Sequence, residues 1–227
     1  MPSTPDPGHG LVARGRVPVM GWWEARVVPR LADWSLRGHE VGDLRAEACD
    51  GLRGQVLELG FGGGLNTRFY PAGVTSVAAV EPSDLGWSLS ERRRERSATP
   101  VERVGLDGQH LDAPDASYDA VLATFTLCTI PDPALALREV RRVLRPGGSF
   151  HFLEHGRSPG PGGGRGQQRV EPVQRRVAGG CHLTRDVTEL ISAAGLEVTS
   201  LRTDVLAGPS VSRPWTFCSL GRAVRTP

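Results

Sequence analysis

Val56-Leu57-Glu58-Leu59-Gly60-Phe61-Gly62-Gly63-Gly64-Leu65-Asn66 reads as a short apolar strand, a glycine turn and the start of a helix. Glycines at alternate positions let the backbone take up positive φ and come close to a ligand. In open α/β sheets, a strand that runs into such a turn is where nucleotides bind. The dinucleotide fingerprint G-x-G-x-x-G does not fit. Read from Gly60 its third glycine falls on Leu65, and read from Gly62 it falls on Thr67. The pattern present is E-x-G-x-G-x-G, with Glu58 at its front.

The chain around this turn has 227 residues, enough for one α/β domain with a substantial core. Its 27 basic residues are all arginine and face 25 acids, for a net charge of +2. So balanced a charge argues against nucleic acid as the main partner. No run of about 18 apolar residues predicts a membrane span. The N-terminus lacks the charged and apolar regions of a signal peptide. Cys49, Cys128, Cys181 and Cys218 are widely spaced and form no C-x-x-C pair. That pattern reads as reduced thiols in a cytoplasmic protein. One domain is expected over residues 18–227, behind a Pro- and Gly-rich segment, 1–17, that reads as disordered.

Trp22, Trp23, Val27, Val28, Leu31 and Trp34 recur at roughly helical spacing. With a second helical piece over 41–49 they predict a helical segment across residues 20–50. Either it packs on the core, or it closes over the site as a lid, with Trp22 and Trp23 lining a substrate pocket. Strands are expected over 55–59, 76–80, 101–104, 118–123 and 149–153, with closing strands over 197–202 and 216–224. Helices are expected over 83–97 and 134–144, the second stopped by Gly147 and Gly148. A loop is expected over 158–166, then a helix capped by Thr184. Glu81, at the carboxyl end of the second strand, is placed to accept hydrogen bonds from two ribose hydroxyls. The carboxylate of Asp107-Gly108-Gln109, after the third strand, can accept from an adenine amino group. The Thr124-Phe125-Thr126-Leu127-Cys128 loop and Glu154-His155 follow the fourth and fifth strands, where the ligand's reactive end would lie.

The E-x-G-x-G-x-G turn, Glu81-Pro82, Asp107-Gly108, Tyr118-Asp119-Ala120-Val121 and Arg145-Pro146-Gly147-Gly148 occur in the order of the class I S-adenosylmethionine (SAM) methyltransferases, which the chain resembles. Gly64-Leu65-Asn66 with Phe69-Tyr70-Pro71, Leu127-Cys128, Glu154-His155 and Gly180-Cys181-His182-Leu183-Thr184-Arg185 are similar to the methyltransferase-like 7 group. That group includes thiol methyltransferases. The resemblance covers about residues 50–225. It implies a Rossmann-like α/β fold: a seven-stranded, mostly parallel sheet, an antiparallel last strand beside the fifth, and helices on both faces. It implies SAM as cofactor and S-adenosylhomocysteine as product, held by Glu58, Gly60, Phe61, Gly62, Gly64, Asn66, Glu81, Pro82, Asp107, Gly108, Gln109 and Thr124. It implies methyl transfer to a small molecule, with a thiol among the candidate acceptors. Trp22, Trp23, Thr126, Leu127, Cys128 and His155 would line the acceptor pocket. Animal members of the group carry a hydrophobic N-terminal membrane anchor, and no such run stands in this sequence.

His155 is the candidate general base; the alternative is a histidine that positions a loop or the substrate. Cys128 is read as a small wall residue, not as a methyl-accepting nucleophile. Glu154, His155, Cys181 and His182 include zinc-ligand types, but adjacent residues seldom supply two ligands each. Methyl transfer needs no metal, so no metal site is expected. The acceptor atom (sulfur, nitrogen, oxygen or carbon) and the oligomeric state are open at this point. Two other classes stay in view. One is a non-catalytic SAM-binding or partner-binding relative. The other is a NAD-dependent oxidoreductase, against which the missing third glycine argues.

Overall fold

The apolar run forms β1 (Gly54–Leu59), and its last four residues are buried because helices cover both faces of the sheet. The structure, a computed structural model, describes residues 21–158, 161–206 and 213–226. The expected disordered segment, 1–17, lies outside them. β2 (Val74–Val80) pairs parallel with β1, and β3 (Val101–Gly105) pairs parallel beyond it. The chain then crosses back: β4 (Tyr118–Thr124) lies on the other side of β1, followed by β5 (Leu144–His155). β6 (Glu197–Val205) forms the far edge, and β7 (Phe217–Val224) runs antiparallel between β5 and β6. The order is β3-β2-β1-β4-β5-β7-β6, the expected seven-stranded sheet. It reverses direction between β1 and β4, so the binding crevice lies at their carboxyl ends.

Three helices precede the sheet: α1 (Trp22–Arg26), α2 (Val28–Ser35) and α3 (His39–Cys49). α4 (Asp84–Leu89) and α5 (Glu91–Glu95) join β2 to β3, and α6 (Pro133–Val143) joins β4 to β5. α7 (Pro161–Val177), α8 (Val187–Ala193) and the short α9 (Arg213–Thr216) fall between β5 and β7. Side chains one residue apart on a strand enter opposite cores. Val56, Ala120 and Leu122 meet Val41, Leu44 and Ala48 of α3. Leu57, Leu59, Val121 and Ala123 meet Leu137 and Val140 of α6, with Val187 and Ile191 of α8. Among the described residues, no helix is long and apolar enough to cross a membrane.

Several local expectations are corrected. The single N-terminal helix is two, broken at Val27, because Pro29 opens α2 and brings no N–H of its own. The helix over 83–97 divides at Ser90. Gly147 and Gly148 do not cap α6. The chain passes from Val143 straight into β5, and its register against β4 shifts between Leu144 and Ser149, so these glycines sit in an irregular stretch of strand. The loop expected over 158–166 is helical from Pro161 onward. Gln167 secures that start, accepting from the Ser158 N–H at 2.9 Å and donating to the Gly156 carbonyl at 2.9 Å. Residues 159–160 lie outside the described residues. Asp186, not Thr184, caps α8: its carboxylate accepts from the Glu189 N–H, whereas the Thr184 N–H donates to Glu171.

His151, only 2 % exposed on β5, has Nδ1 2.9 Å from the Ala48 carbonyl. That nitrogen therefore carries the proton, and Nε2 accepts from the Ser149 hydroxyl. Burial pushes its pKa down from 6.5 to about 4. Between those values the unfolded chain binds a proton that the fold excludes, so this group's contribution to stability rises with pH. The expected rise from pH 4 to 6.5 is about 3 kcal/mol. Urea unfolding across that range should show it in the wild type, and His151→Gln should flatten the slope by about that amount.

Candidate active site

β1 ends at Gly60 with φ +67°, and a Cβ there would overlap the Thr126 hydroxyl. The N–H groups of Gly60 and Phe61 both donate to the Val80 carbonyl of β2, at 2.9 and 3.2 Å. This pulls the turn across the top of the sheet. Gly62 also has positive φ, +55°, but a Cβ there would meet nothing nearer than the Gly60 carbonyl at 3.9 Å. The face above Gly62 is open. Phe61 is buried and its ring lies 5.5 Å from that of Trp87.

Glu81 is 5 % exposed and engages this turn directly. One carboxylate oxygen accepts from the Gly62 N–H at 2.6 Å, the other from the Ser83 N–H at 2.8 Å. Burial pushes its pKa up, and those two N–H groups and Arg103 counter it. Pro82 follows, half-buried. Asp107 accepts from the backbone and side-chain N–H groups of Gln109 and lies 3.0 Å from His110. Burial raises its pKa, but these hydrogen bonds outweigh it and the net shift is downward. Gly108 leaves room between Leu59 and Ile130: a Cβ would lie 3.4 and 3.2 Å from them.

Glu58 and Asn66 are each 1 % exposed and lie in a hydrogen-bonded network under the turn. Asn66 donates to Glu58 and to Thr124, both at 3.0 Å, and Tyr70 donates to the second oxygen of Glu58. Arg45 of α3 donates to Asn66 at 2.7 Å and to Thr124 at 2.8 Å. Burial lifts Glu58 to a pKa of about 7 and lowers Arg45 to about 10, so Arg45 stays charged at neutral pH. Its Nε is buried with no hydrogen-bond partner among the described residues. Sequence reasoning does not single out Arg45. A signal for it exists: it lies on the Val41, Leu44, Ala48 face of α3, where an arginine is out of place.

The other side of Gly60 is built around Glu154, which is fully buried. Its carboxylate accepts from the N–H groups of Thr126 (2.9 Å), Leu127 (2.9 Å) and Cys128 (3.2 Å). Phe125, just before them, has φ +56°, a left-handed conformation that costs a non-glycine residue about 1–2 kcal/mol. Its ring packs against that of His155, centroids 4.9 Å apart, and the Arg45 guanidinium lies 5.3 Å away. His155 Nδ1 is 3.8 Å from Cys128 Sγ and 3.6 Å from Cys181 Sγ. The hydrogen bond with Cys128 and the nearby His155 pull the Cys181 thiol down, while the same sulfur contact and burial push Cys128 up. His182 points elsewhere, 3.1 Å from Glu171. The sequence set of Glu154, His155, Cys181 and His182 is thus not one cluster; the assembled trio is Cys128, His155 and Cys181. Spacing gives no sign of it, because Cys181 arrives from the far end of α7.

The N-terminal helices rest on the turn. Arg93 bridges Asp33 of α2, at 2.6 Å, and the Gly63 carbonyl, at 2.7 Å. Trp23 donates to the Val177 carbonyl at the end of α7. Trp22 is 73 % exposed and shares a groove with Val27, Leu31, Trp34 and two arginines, lined among the described residues by the α1–α2 segment.

An open α/β sheet with a glycine turn at its switch point, an acid at the end of β2 and an inserted antiparallel strand defines a nucleoside-binding, doubly wound protein. Residues 57–152 match the methyltransferase domain family. Over that stretch the chain resembles the class I SAM-dependent methyltransferases, and its sheet order is that of their fold. Thiol S-methyltransferase TMT1B of Homo sapiens is 40 % identical over 144 residues, 60 % of this chain and 58 % of that protein. The chain thus spans about three fifths of that relative's length. A SAM-dependent methyltransferase from Mesorhizobium loti superposes with a TM-score of 0.60 at 16 % identity, over 83 % of this chain and 98 % of that one. The 4+2 cyclase SpnF gives 0.64 at 19 % identity, over 82 % and 80 %. These two likenesses show the fold.

The two glycines should separate in mutagenesis. Gly60→Ala should cost well over the ~1–2 kcal/mol of a left-handed alanine, because it also displaces Thr126. Gly62→Ala should lose only about that amount while losing SAM affinity. Thermal unfolding and calorimetry on both variants check this.

Proposed function

We propose that this chain transfers the methyl group of SAM to a small-molecule thiol. The observation that carries the reading is the contact of Gly60 with Thr126, which sets the glycine turn and Glu81 beside the Thr126–Cys128 loop and His155. Two features fit the cofactor: the open face above Gly62, and the buried, unpartnered Nε of Arg45, a donor for a carboxylate. When bound, SAM supplies an electrophilic methyl on its sulfonium. The chain's own task is to bind, align and exclude water.

In this reading Glu81 accepts from the ribose and Asp107 and Gln109 face the adenine. Glu58, Asn66 and Thr124 act from below, holding the turn and Arg45 in place. The α1–α2 segment, clamped through Asp33 and Arg93, closes the cofactor side. The identity to thiol S-methyltransferases supports sulfur as the acceptor atom. A thiol near pKa ~8.5 must lose its proton to react, so the site has to favour the thiolate. A second reading is a SAM-binding protein that transfers no methyl, since Glu81 and the open face above Gly62 serve binding alone.

A SAM-consumption assay over thiols, phenols and amines, with product masses, decides between them. S-methyl products are expected. Only N- or O-methyl products would overturn the thiol, and intact SAM binding with no turnover would favour the second reading. Glu81→Ala should weaken SAM binding by about 1.5–3 kcal/mol, the usual worth of hydrogen bonds to a charged group.

His155→Ala should lower thiol turnover by about 100-fold or more at unchanged SAM affinity. The defect is expected to persist from pH 6 to 9, since Nδ1 already faces two sulfurs. A defect that vanishes above the thiol's own pKa would instead make His155 a simple base.

A further inference from the structure

We propose that Cys128, His155 and Cys181 form a zinc site whose fourth position takes the acceptor thiol. Their ligand atoms all lie within 4.8 Å of one another. Tetrahedral zinc, with Zn–S of about 2.3 Å and Zn–N of about 2.1 Å, sets sulfur and nitrogen about 3.6 Å apart. The two contacts here are 3.6 and 3.8 Å.

The three groups converge on one point: the two thiols contact each other, and both lie against the same histidine nitrogen. That nitrogen, Nδ1, has either one proton or one lone pair to offer. A cation between the three atoms serves all of them.

The trio is held by its surroundings. Glu154 grips the backbone of the Cys128 loop through three N–H groups. The His182 N–H donates to the Cys128 carbonyl at 2.7 Å, which fixes Cys181 beside Cys128. Arg185 donates to the carbonyls of Leu127 and Ile130, closing the same loop from outside. Phe125 packs on the His155 ring and limits its rotation. Cys128 and Cys181 are 1 and 3 % exposed, while His155 is only half-buried, so the accessible side of the trio is the histidine side.

Three protein ligands and one open position is the pattern of a catalytic zinc, not a structural one. A thiol in the open position is deprotonated outright. Its proton leaves to solvent. The sulfur forms the new bond to the methyl carbon, and the electron pair of the broken carbon–sulfonium bond stays with S-adenosylhomocysteine. The thiol part of the proposal rests on the function proposed above; the metal part does not.

The test uses the full chain, reduced, loaded with zinc chloride and freed of excess metal. One zinc per chain is expected. Cys128→Ser and Cys181→Ser should each weaken zinc binding by more than about 100-fold, the upper range for losing mere supporting contacts. SAM binding by calorimetry should stay unchanged, which reports an intact fold. Cobalt in place of zinc should give thiolate-to-metal charge-transfer bands that shift when a small thiol is added. Failure to retain zinc, with no cobalt bands, would overturn the site. So would a Cys128–Cys181 disulfide that forms in place of metal binding. Cobalt bands indifferent to every thiol would overturn the acceptor role. Bound zinc without any thiol methylation would instead refute the thiol reading and leave the metal site standing.

Discussion

Where β1 gives way to its turn, Gly60 has no side chain and the Thr126 hydroxyl occupies the space a Cβ would need. That hydroxyl donates to the Leu59 carbonyl at 3.0 Å. The ends of β1 and β4 are joined there, and so are the two halves of the crevice. On one side the turn continues to Gly62 and Glu81; on the other the loop continues to Cys128 and the trio with His155 and Cys181. A side chain at Gly60 would push the halves apart. The missing Cβ is thus a steric condition for the glycine turn and the Thr126–Cys128 loop to lie side by side at the ends of β1 and β4.

Two buried carboxylates support those halves. Burying a charged group costs several kcal/mol unless hydrogen bonds replace its water. Glu154 has three backbone donors, and each belongs to the acceptor-side loop. Glu58 has Asn66 and Tyr70, with Arg45 close by, and its pKa near 7 records that the compensation is incomplete. The unpartnered Nε of Arg45 belongs to the same network. An anionic ligand group at that point would complete what the network lacks. The left-handed Phe125 adds to the same pattern: strain is held at the site and offset by the packing around it.

The N-terminal helices bear on function through position more than through their tryptophans. Asp33 and Arg93 set α2 on the Gly63 carbonyl, and Trp23 ties α1 to the end of α7. α7 in turn leads into Cys181. The N-terminal helices, the glycine turn and the trio are thereby joined by direct hydrogen bonds and one helix.

Much of this is readable in the sequence because a few local rules act within a few residues. A buried strand shows as an apolar run, as at Ala120-Val121-Leu122-Ala123, and a tight turn shows as glycine. The order of Glu58, Glu81 and Asp107 along the chain follows the strand ends, so the class of fold and the cofactor side stand in the sequence. The tertiary structure decides the rest. Thr184 and Asp186 are both good caps, but the Thr184 side chain is engaged by Glu171, reaching over from α7, and the Asp186 carboxylate accepts from the Glu189 N–H. Pro161 to Gly166 has the composition of a loop, yet Gln167 bonding back to Gly156 and Ser158 makes it the start of a helix. Cys128, His155 and Cys181 are brought together by β4, β5 and the return from α7. Contacts between residues so far apart in sequence depend on the packing of whole elements, and no local pattern encodes them.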